Sequence, residues 1–137
     1  MATTDEAIVR EVLATWEQVW HAGRYDLIPA CLAPRYTRHG SYLQGTFSVT
    51  YTPAEYAQVL AAERERSQLL FAIQDQAVVG DRLWLRLTLY RTHPDTGQVV
   101  TRPALQVYRL EDGKFAETWV AYQGDGTTWP DTPDQVP

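Results

Sequence analysis

One cysteine, Cys31, is present in 137 residues. An intrachain disulfide needs two, so the fold is not stapled, and no cysteine-based metal site is in view. Basic residues are also few. Lys and Arg total 12 against 17 acidic residues, for a net charge of -5. They are scattered, whereas gripping a phosphate backbone takes a basic stripe. Nucleic acid is therefore not an expected partner. No apolar run approaches the length needed to cross a bilayer, so a membrane is not expected either. "MATTDEAIVREVL" has no charged segment followed by an apolar one, which makes the cytoplasm the expected location. There is no phosphate loop, zinc-ligand spacing or nucleophile elbow. His21, His39 and His93 are too dispersed to suggest a metal site. Neither a metal nor a cofactor is expected.

What is present fits one globular domain. Hydrophobic residues make up 45% and charged residues 21% of the chain. The length suits a single core over residues 1–123, and the Gly-, Pro- and Asp-rich stretch 124–137 reads as an extended or mobile tail. Five Trp and eight Tyr are many for this length. Such side chains line apolar pockets or fill interfaces.

The apolar spacing orders the elements. Ile8, Val9, Val12, Leu13, Trp16, Val19 and Trp20 follow a helical period. Thr3 and Glu6 have capping-box spacing before them, and Gly23 stops the helix after about His21. Asp26 is placed to cap a short second helix, "LIPACL", ended by Pro34. "RYTRHGSY" reads as a short extended segment leading into a loop. At "YTPAEYAQVLAAERERS", Thr52 is an N-cap, Pro53 takes the first helical position and Glu55 completes a capping box. Four strand candidates follow: "LLFAIQDQAVV", "DRLWLRLTLYRTH", "QVVTRPALQVYRL" and "KFAETWVAYQ". Three helices followed by antiparallel strands make an α+β fold. A curved antiparallel sheet wrapped around the three N-terminal helices would enclose a conical cavity. It would leave one open sheet face as a dimer surface.

Strand alternation sorts the residues of "RLTLYRTHPDTGQVV". Leu83, Leu85, Leu87 and Leu89 share a face with Arg91 and His93, so His93 is expected to point inward near the open end of the cavity. The Pro94–Gly97 turn does not itself require a histidine. Trp84, Arg86, Thr88 and Tyr90 belong to the exposed or dimer-facing side. Trp16, Trp20 and Tyr56 come from the helices that would roof the cavity. His21, at a helix end where the dipole favours a cation, reads as structural.

This order, with its local motifs, resembles the SnoaL-like polyketide cyclases of the nuclear transport factor two-like superfamily. The resemblance covers residues 5 to 123 and rests on four stretches. "WHAGRYDLIPACLAPRYTRHG" looks like a helix, short helix and strand ending in a histidine. "FAIQDQAVVGDRLWLRLTLYRTH" looks like the central hairpin, and the helix from Thr52 like the third helix. "VYRLEDGKFAETW" looks like the last turn and strand, with Glu117 and Trp119. The resemblance implies a cone-shaped barrel, often dimeric, with a pocket for a small and mostly apolar molecule. It also places His39 at that pocket. In the cyclases an acid/base aspartate commonly follows Glu-x-Trp, and another lies three residues later. Here those positions are Val120 and Gln123. If Val120 is on the pocket face, Tyr122 is too, and its hydroxyl can polarise a carbonyl.

The expected site is therefore His39 and His93 as an acid/base pair with Tyr122, beside Trp16, Trp20, Tyr36, Tyr56 and Val120 as substrate-binding wall. Either histidine can instead be a wall residue or a turn cap, and the aromatics can simply fill the core. Asp75, Arg86 and Glu117 do not meet the epoxide-hydrolase pattern and read as surface or interface ions. Three functions remain open. One is a cofactor-independent enzyme acting on a small hydrophobic, oxygenated metabolite such as a polyketide, by cyclisation, isomerisation or hydration/dehydration. The second is a non-catalytic ligand-binding module. The third is an assembly subunit joined through the Trp84 face.

Overall fold

The computed structural model describes residues 6–42 and 45–133. Helix α1 spans Glu6–Ala22 and buries Val9, Val12, Leu13, Trp16 and Val19. Gly23 follows at φ 68°, a conformation that costs glycine little, and releases the chain from the helix. The capping pair proposed at Thr3 lies outside the described residues. A 3-10 turn, Tyr25–Leu27, leads into α2, Ile28–Cys31. Asp26 does not cap it. Its carboxylate instead pairs with Arg24 at 3.0 Å. Helix α3, Pro53–Ser67, has the expected capping box: the Thr52 hydroxyl accepts from the Glu55 N–H, and the Glu55 carboxylate accepts from the Thr52 N–H.

The strands are β1 (Leu32–Tyr42), β2 (Gly45–Tyr51), β3 (Leu70–Val79), β4 (Arg82–Thr92), β5 (Val99–Glu111) and β6 (Lys114–Tyr122). They form one sheet in the order β2-β1-β6-β5-β4-β3. Two features differ from the sequence expectation. First, "GTFSVTY" is a strand, β2, paired with β1. Its Thr and Val content favours extended backbone, but most of the strand is exposed, so it carries little burial alternation. Second, β1 and β6 run parallel, so the sheet is mixed rather than antiparallel. Strands β2 and β3 are its two edges, so the sheet is open and the cone is not a closed barrel.

The three helices cover one face, giving the α+β cone. On that inner face Leu83, Leu85, Leu87 and Leu89 of β4 meet Phe115 and Val120 of β6 and Trp16 of α1 in a single core. Truncating one such leucine to alanine typically costs about 2–5 kcal/mol, because the cavity left behind collapses only partly.

The outer face is not bare. The chain after β6 folds back across it as far as Pro133. The Trp129 indole N–H donates to the Leu87 carbonyl, and Tyr90 donates to the Pro133 carbonyl. The Asp131 carboxylate receives both Arg86 Nη groups at 2.8 Å. This strap explains why Thr88 and Tyr90, on the outer side by alternation, are buried. Trp84 and Leu105, beyond its reach, stay half exposed.

Candidate functional site

Alternation in β1 decides what reaches the interior. Tyr36, Arg38 and Gly40 point inward and are buried, while Thr37, His39 and Ser41 point outward. Arg38 is only 9% exposed. A buried cation normally has an acidic partner. Arg38 makes no salt bridge to a carboxylate among the described residues. Its guanidinium donates to the Tyr122 hydroxyl at 2.6 Å, and the hydroxyls of Tyr36, Tyr56 and Tyr108 lie within its field. Burial works against the charge, but the ring of phenolic oxygens outweighs it and keeps Arg38 protonated. Burial in turn pushes Tyr36, Tyr56 and Tyr108 above the usual phenol range, so all three remain O–H donors.

Arg38 faces a cavity of about 250 Å³ between the sheet and helices α1 and α3. Trp20, Tyr51, Tyr56, Leu89 and Tyr122 form its walls, with Arg91 and Arg102 also on the lining. A smaller space of about 20 Å³ shares Trp20, Arg38, Leu89 and Tyr122 with it and adds Gln106 and Tyr108, so it is the inner end of the same cavity. Gly40 makes room for one wall. A Cβ there would lie 1.9 Å from the Phe47 ring, so only glycine lets Phe47 lie over β1. At the mouth, Asp125 pairs with Arg102 at 3.0 Å and approaches Arg91 at 3.8 Å. The Arg102 guanidinium also sits 5.2 Å over the Tyr122 ring.

Among the expected site residues, the structure brings Tyr122, Trp20 and Tyr56 to this cavity. Tyr36 lies behind it and shares a 2.5 Å hydrogen bond with Thr118. Trp16 and Val120 belong to the core, and Trp16 stacks on Tyr56.

The histidines are elsewhere. His39 is on the outer face, with Nε2 2.6 Å from a Glu117 oxygen and Nδ1 2.8 Å from the Ser48 hydroxyl. Its ring stacks on Trp119, and Arg109 holds the other Glu117 oxygen. The Ser48–His39–Glu117 row has the connectivity of a nucleophile, base and acid. Yet it runs across three neighbouring strands, and none of the three residues lines either part of the inner cavity. Burial opposes the Glu117 charge, but the bonds from His39 and Arg109 prevail and hold its carboxyl below the usual range.

His93 is not inside either. Strand β4 ends at Thr92, and His93 is exposed in the following turn. Its carbonyl accepts from the Gly97 N–H and its Nδ1 from the Asp95 N–H. It caps the hairpin, contrary to the sequence expectation, because the alternation that buries Leu83 to Leu89 stops at the strand end. His21 is not a helix-end cation. Its Nε2 accepts from the Phe71 N–H, and burial pulls its pKa below the usual histidine value.

Arg86 pairs with Asp75 at 2.6 Å and with Asp131, whereas Glu117 pairs with His39 and Arg109. A larger cleft of about 590 Å³ beside His21, Arg64 and Glu65 is a surface groove. Its His21 and Arg64 are already engaged, Arg64 by the Trp20 carbonyl. No group of three His, Cys, Asp or Glu side chains among the described residues could hold a metal. No helix of the described chain is long and apolar enough to cross a membrane.

Sequence reasoning missed Arg38, Arg102 and Gln106, and put Arg91 on the inner face without giving it a role. The signal for Arg38 was in "YTRHG": with Tyr36 as an inward anchor, period two puts Arg38 inside and His39 outside.

The family model for the SnoaL-like domain matches residues 9–118. The chain belongs to the SnoaL-like family. Solved structures of the same fold include a protein from Acidithiobacillus ferrooxidans named as a candidate polyketide cyclase. It is 20% identical, with a TM-score of 0.73 over 89% of this chain and 91% of that one. IdmH from Streptomyces antibioticus, named likewise, is 17% identical, with a TM-score of 0.69 over 83% and 91%. An LEH-like epoxide hydrolase of M. tuberculosis is 11% identical, with a TM-score of 0.70 over 85% and 83%. At these identities the likeness is one of fold. Among curated proteins, none matches the chain in sequence.

Proposed function

We propose that this SnoaL-like protein is a cofactor-independent enzyme for a small, hydrophobic, oxygenated metabolite such as a polyketide. The reaction class is cyclisation, isomerisation or hydration/dehydration. The observation that carries this reading is the Arg38–Tyr122 pair facing an aromatic-walled cavity. Tyr122 accepts a hydrogen bond from a cation, which leaves its own O–H to donate toward the cavity. A hydroxyl polarised in this way is a stronger donor. A carbonyl oxygen seated there gains stabilisation as it takes on negative charge, whether through loss of an adjacent proton or closure of a ring. One such preorganised donor is typically worth about 10²–10³ in kcat.

The lining is rich in donors, and its carboxylate, Glu63, is engaged by Arg66 and Ser67, so the cavity contributes charge stabilisation more than proton abstraction. That suits a substrate whose reacting C–H, flanked by two carbonyls, is acidic enough to lose its proton to water while the cavity holds the enolate oxygen. His39 and His93, expected to be the acid/base pair, have no place in this scheme.

The test is turnover of aromatic 1,3-dicarbonyl substrates by the wild type and Arg38→Met. A fall of about 10²–10³ in kcat in the variant supports the reading. The second reading, a binding module, draws on Val120 and Gln123 standing where the cyclases carry aspartates. It predicts that ligand is bound and recovered unaltered. Pairing of two copies through the exposed Trp84 and Leu105 face belongs to the same proposal, and sedimentation of Trp84→Glu tests it.

A further inference from the structure

The cavity carries a charge imbalance that its own side chains do not close. Arg38, Arg91 and Arg102 all line it. The acids on the same space are Glu63 on the lining and Asp125 at the mouth. Glu63 is bonded to Arg66 and Ser67, and Asp125 reaches only the outer two arginines. Arg38, deepest and most buried of the three, has a phenol for a partner where a carboxylate would be usual. A guanidinium carries five N–H donors, so the Tyr122 hydroxyl, with that of Tyr36 beside it, leaves part of its capacity unused. Two further donors on the same lining are buried without a hydrogen-bond partner, the Trp20 indole N–H and the Arg91 Nε–H. Buried donors without acceptors are costly, and they are retained where something else supplies the acceptor. Around these donors the walls are flat and apolar: Trp20, Tyr56 and Tyr122 rings with Leu89.

We propose that the cavity takes a small, planar, conjugated ligand as an anion, with its anionic oxygen on Arg38 and Tyr122 and its ring against Trp20 and Tyr56. The anion is a carboxylate or the enolate of a 1,3-dicarbonyl. A cavity of about 250 Å³ lies just under the range usual for drug-sized ligands, so the ligand is one or two fused rings. This inference rests on the reading of the cavity as the substrate site. It adds that charge, not only shape, selects what enters.

Equilibrium binding tests it without requiring turnover. 2-Naphthoate, its neutral amide 2-naphthamide, and the enolate of 1,3-indandione are titrated into the full chain, with tryptophan fluorescence and ¹H–¹⁵N spectra as readouts. The variants are Arg38→Met, Arg38→Lys and Tyr122→Phe, each checked for folding by circular dichroism. The naphthoate or the enolate should bind the wild type at least about tenfold tighter than the amide, with a shift of the Trp20 indole signal. Arg38→Met should abolish that preference, the anions losing far more affinity than the amide. Arg38→Lys should keep part of it, since charge survives and the planar fork does not. If Arg38→Met fails to fold, Tyr122→Phe carries the test by weakening the anions more than the amide. Which of the two anions binds identifies the ligand class. Equal binding of acid and amide overturns the inference, as does an acid preference that survives Arg38→Met. Anion binding without any conversion of a dicarbonyl would refute the enzyme reading and leave this inference standing.

Discussion

Arg38 and His39 are neighbours in sequence, and the strand sends them to opposite sides of one sheet. Inside, Arg38 is buried against tyrosines, with a cavity before it. Outside, His39 sits in a satisfied row with Ser48 and Glu117, and Glu117 is held further by Arg109. The outer cluster looks more like chemistry on inspection, because it joins a histidine to an acid and a hydroxyl. Its partners, however, are all accounted for by one another. The inner face is the side with spare capacity. Donors without acceptors and a charge without a counter-ion mark the place where a ligand completes the structure. Perturbed or unpaired groups in a cleft are better pointers to function than titratable residues as such.

Substitutions can break this contrast. The largest expected effect is from Arg38→Met. Removing its buried charge should cost about 10²–10³ in kcat. It should also lower thermal stability, by about 1–3 kcal/mol, since the Tyr122 hydroxyl loses its charged partner. A thermal melt beside the kinetic assay checks both signs. Gly40→Val should come next. Its side chain displaces Phe47, and overpacking of this kind costs about 1–3 kcal/mol, with the cavity wall and ligand affinity lost together. Denaturant unfolding and probe binding measure the two losses.

His39→Ala should cost no more than about 1 kcal/mol, in the manner of a partly exposed polar pair, and leave turnover intact. A large drop in kcat would move the site to the outer face. Smaller still is the effect of pH, read from stability between pH 3 and 8. The Glu117 carboxyl ionises more readily in the folded chain than its ordinary value of 4.5. Its contribution is therefore present above that value and lost as pH falls through the folded pKa. His21 resists protonation in the fold relative to its ordinary 6.5, so its contribution is present above that pH and is lost as pH falls below it. Glu117→Gln should flatten the lower step and His21→Asn the upper one.

Much of the fold was legible because its signals are local. The Thr52–Glu55 capping box fixed a helix start, and the leucines of β4 fixed a face. Strand β2 was not legible, because its exposed residues show no alternation against a core. The parallel pairing of β1 with β6 joins segments that start about eighty residues apart, and nothing local encodes it. For the site, the face assigned to Leu89 extended correctly to Arg91 but not to His93, because alternation ends with the strand. His39 was placed by resemblance, against the alternation around Tyr36 that puts Arg38 inside. A charged residue between a tyrosine and a glycine gives no hydropathy signal, so the central side chain of the cavity looked like surface. The strap over the outer face was not legible either, since its Trp129 and Asp131 lie in a stretch whose composition suggests mobility.

The most direct test of the inner-face account is an amide and indole chemical-shift map of the full chain on titration with 2-naphthoate. The account predicts that the shifts concentrate at Arg38, Tyr122 and the Trp20 indole, while Ser48, Glu117 and Trp119 stay in place. Shifts centred on Ser48, Glu117 and Trp119, with Trp20 unmoved, would contradict it.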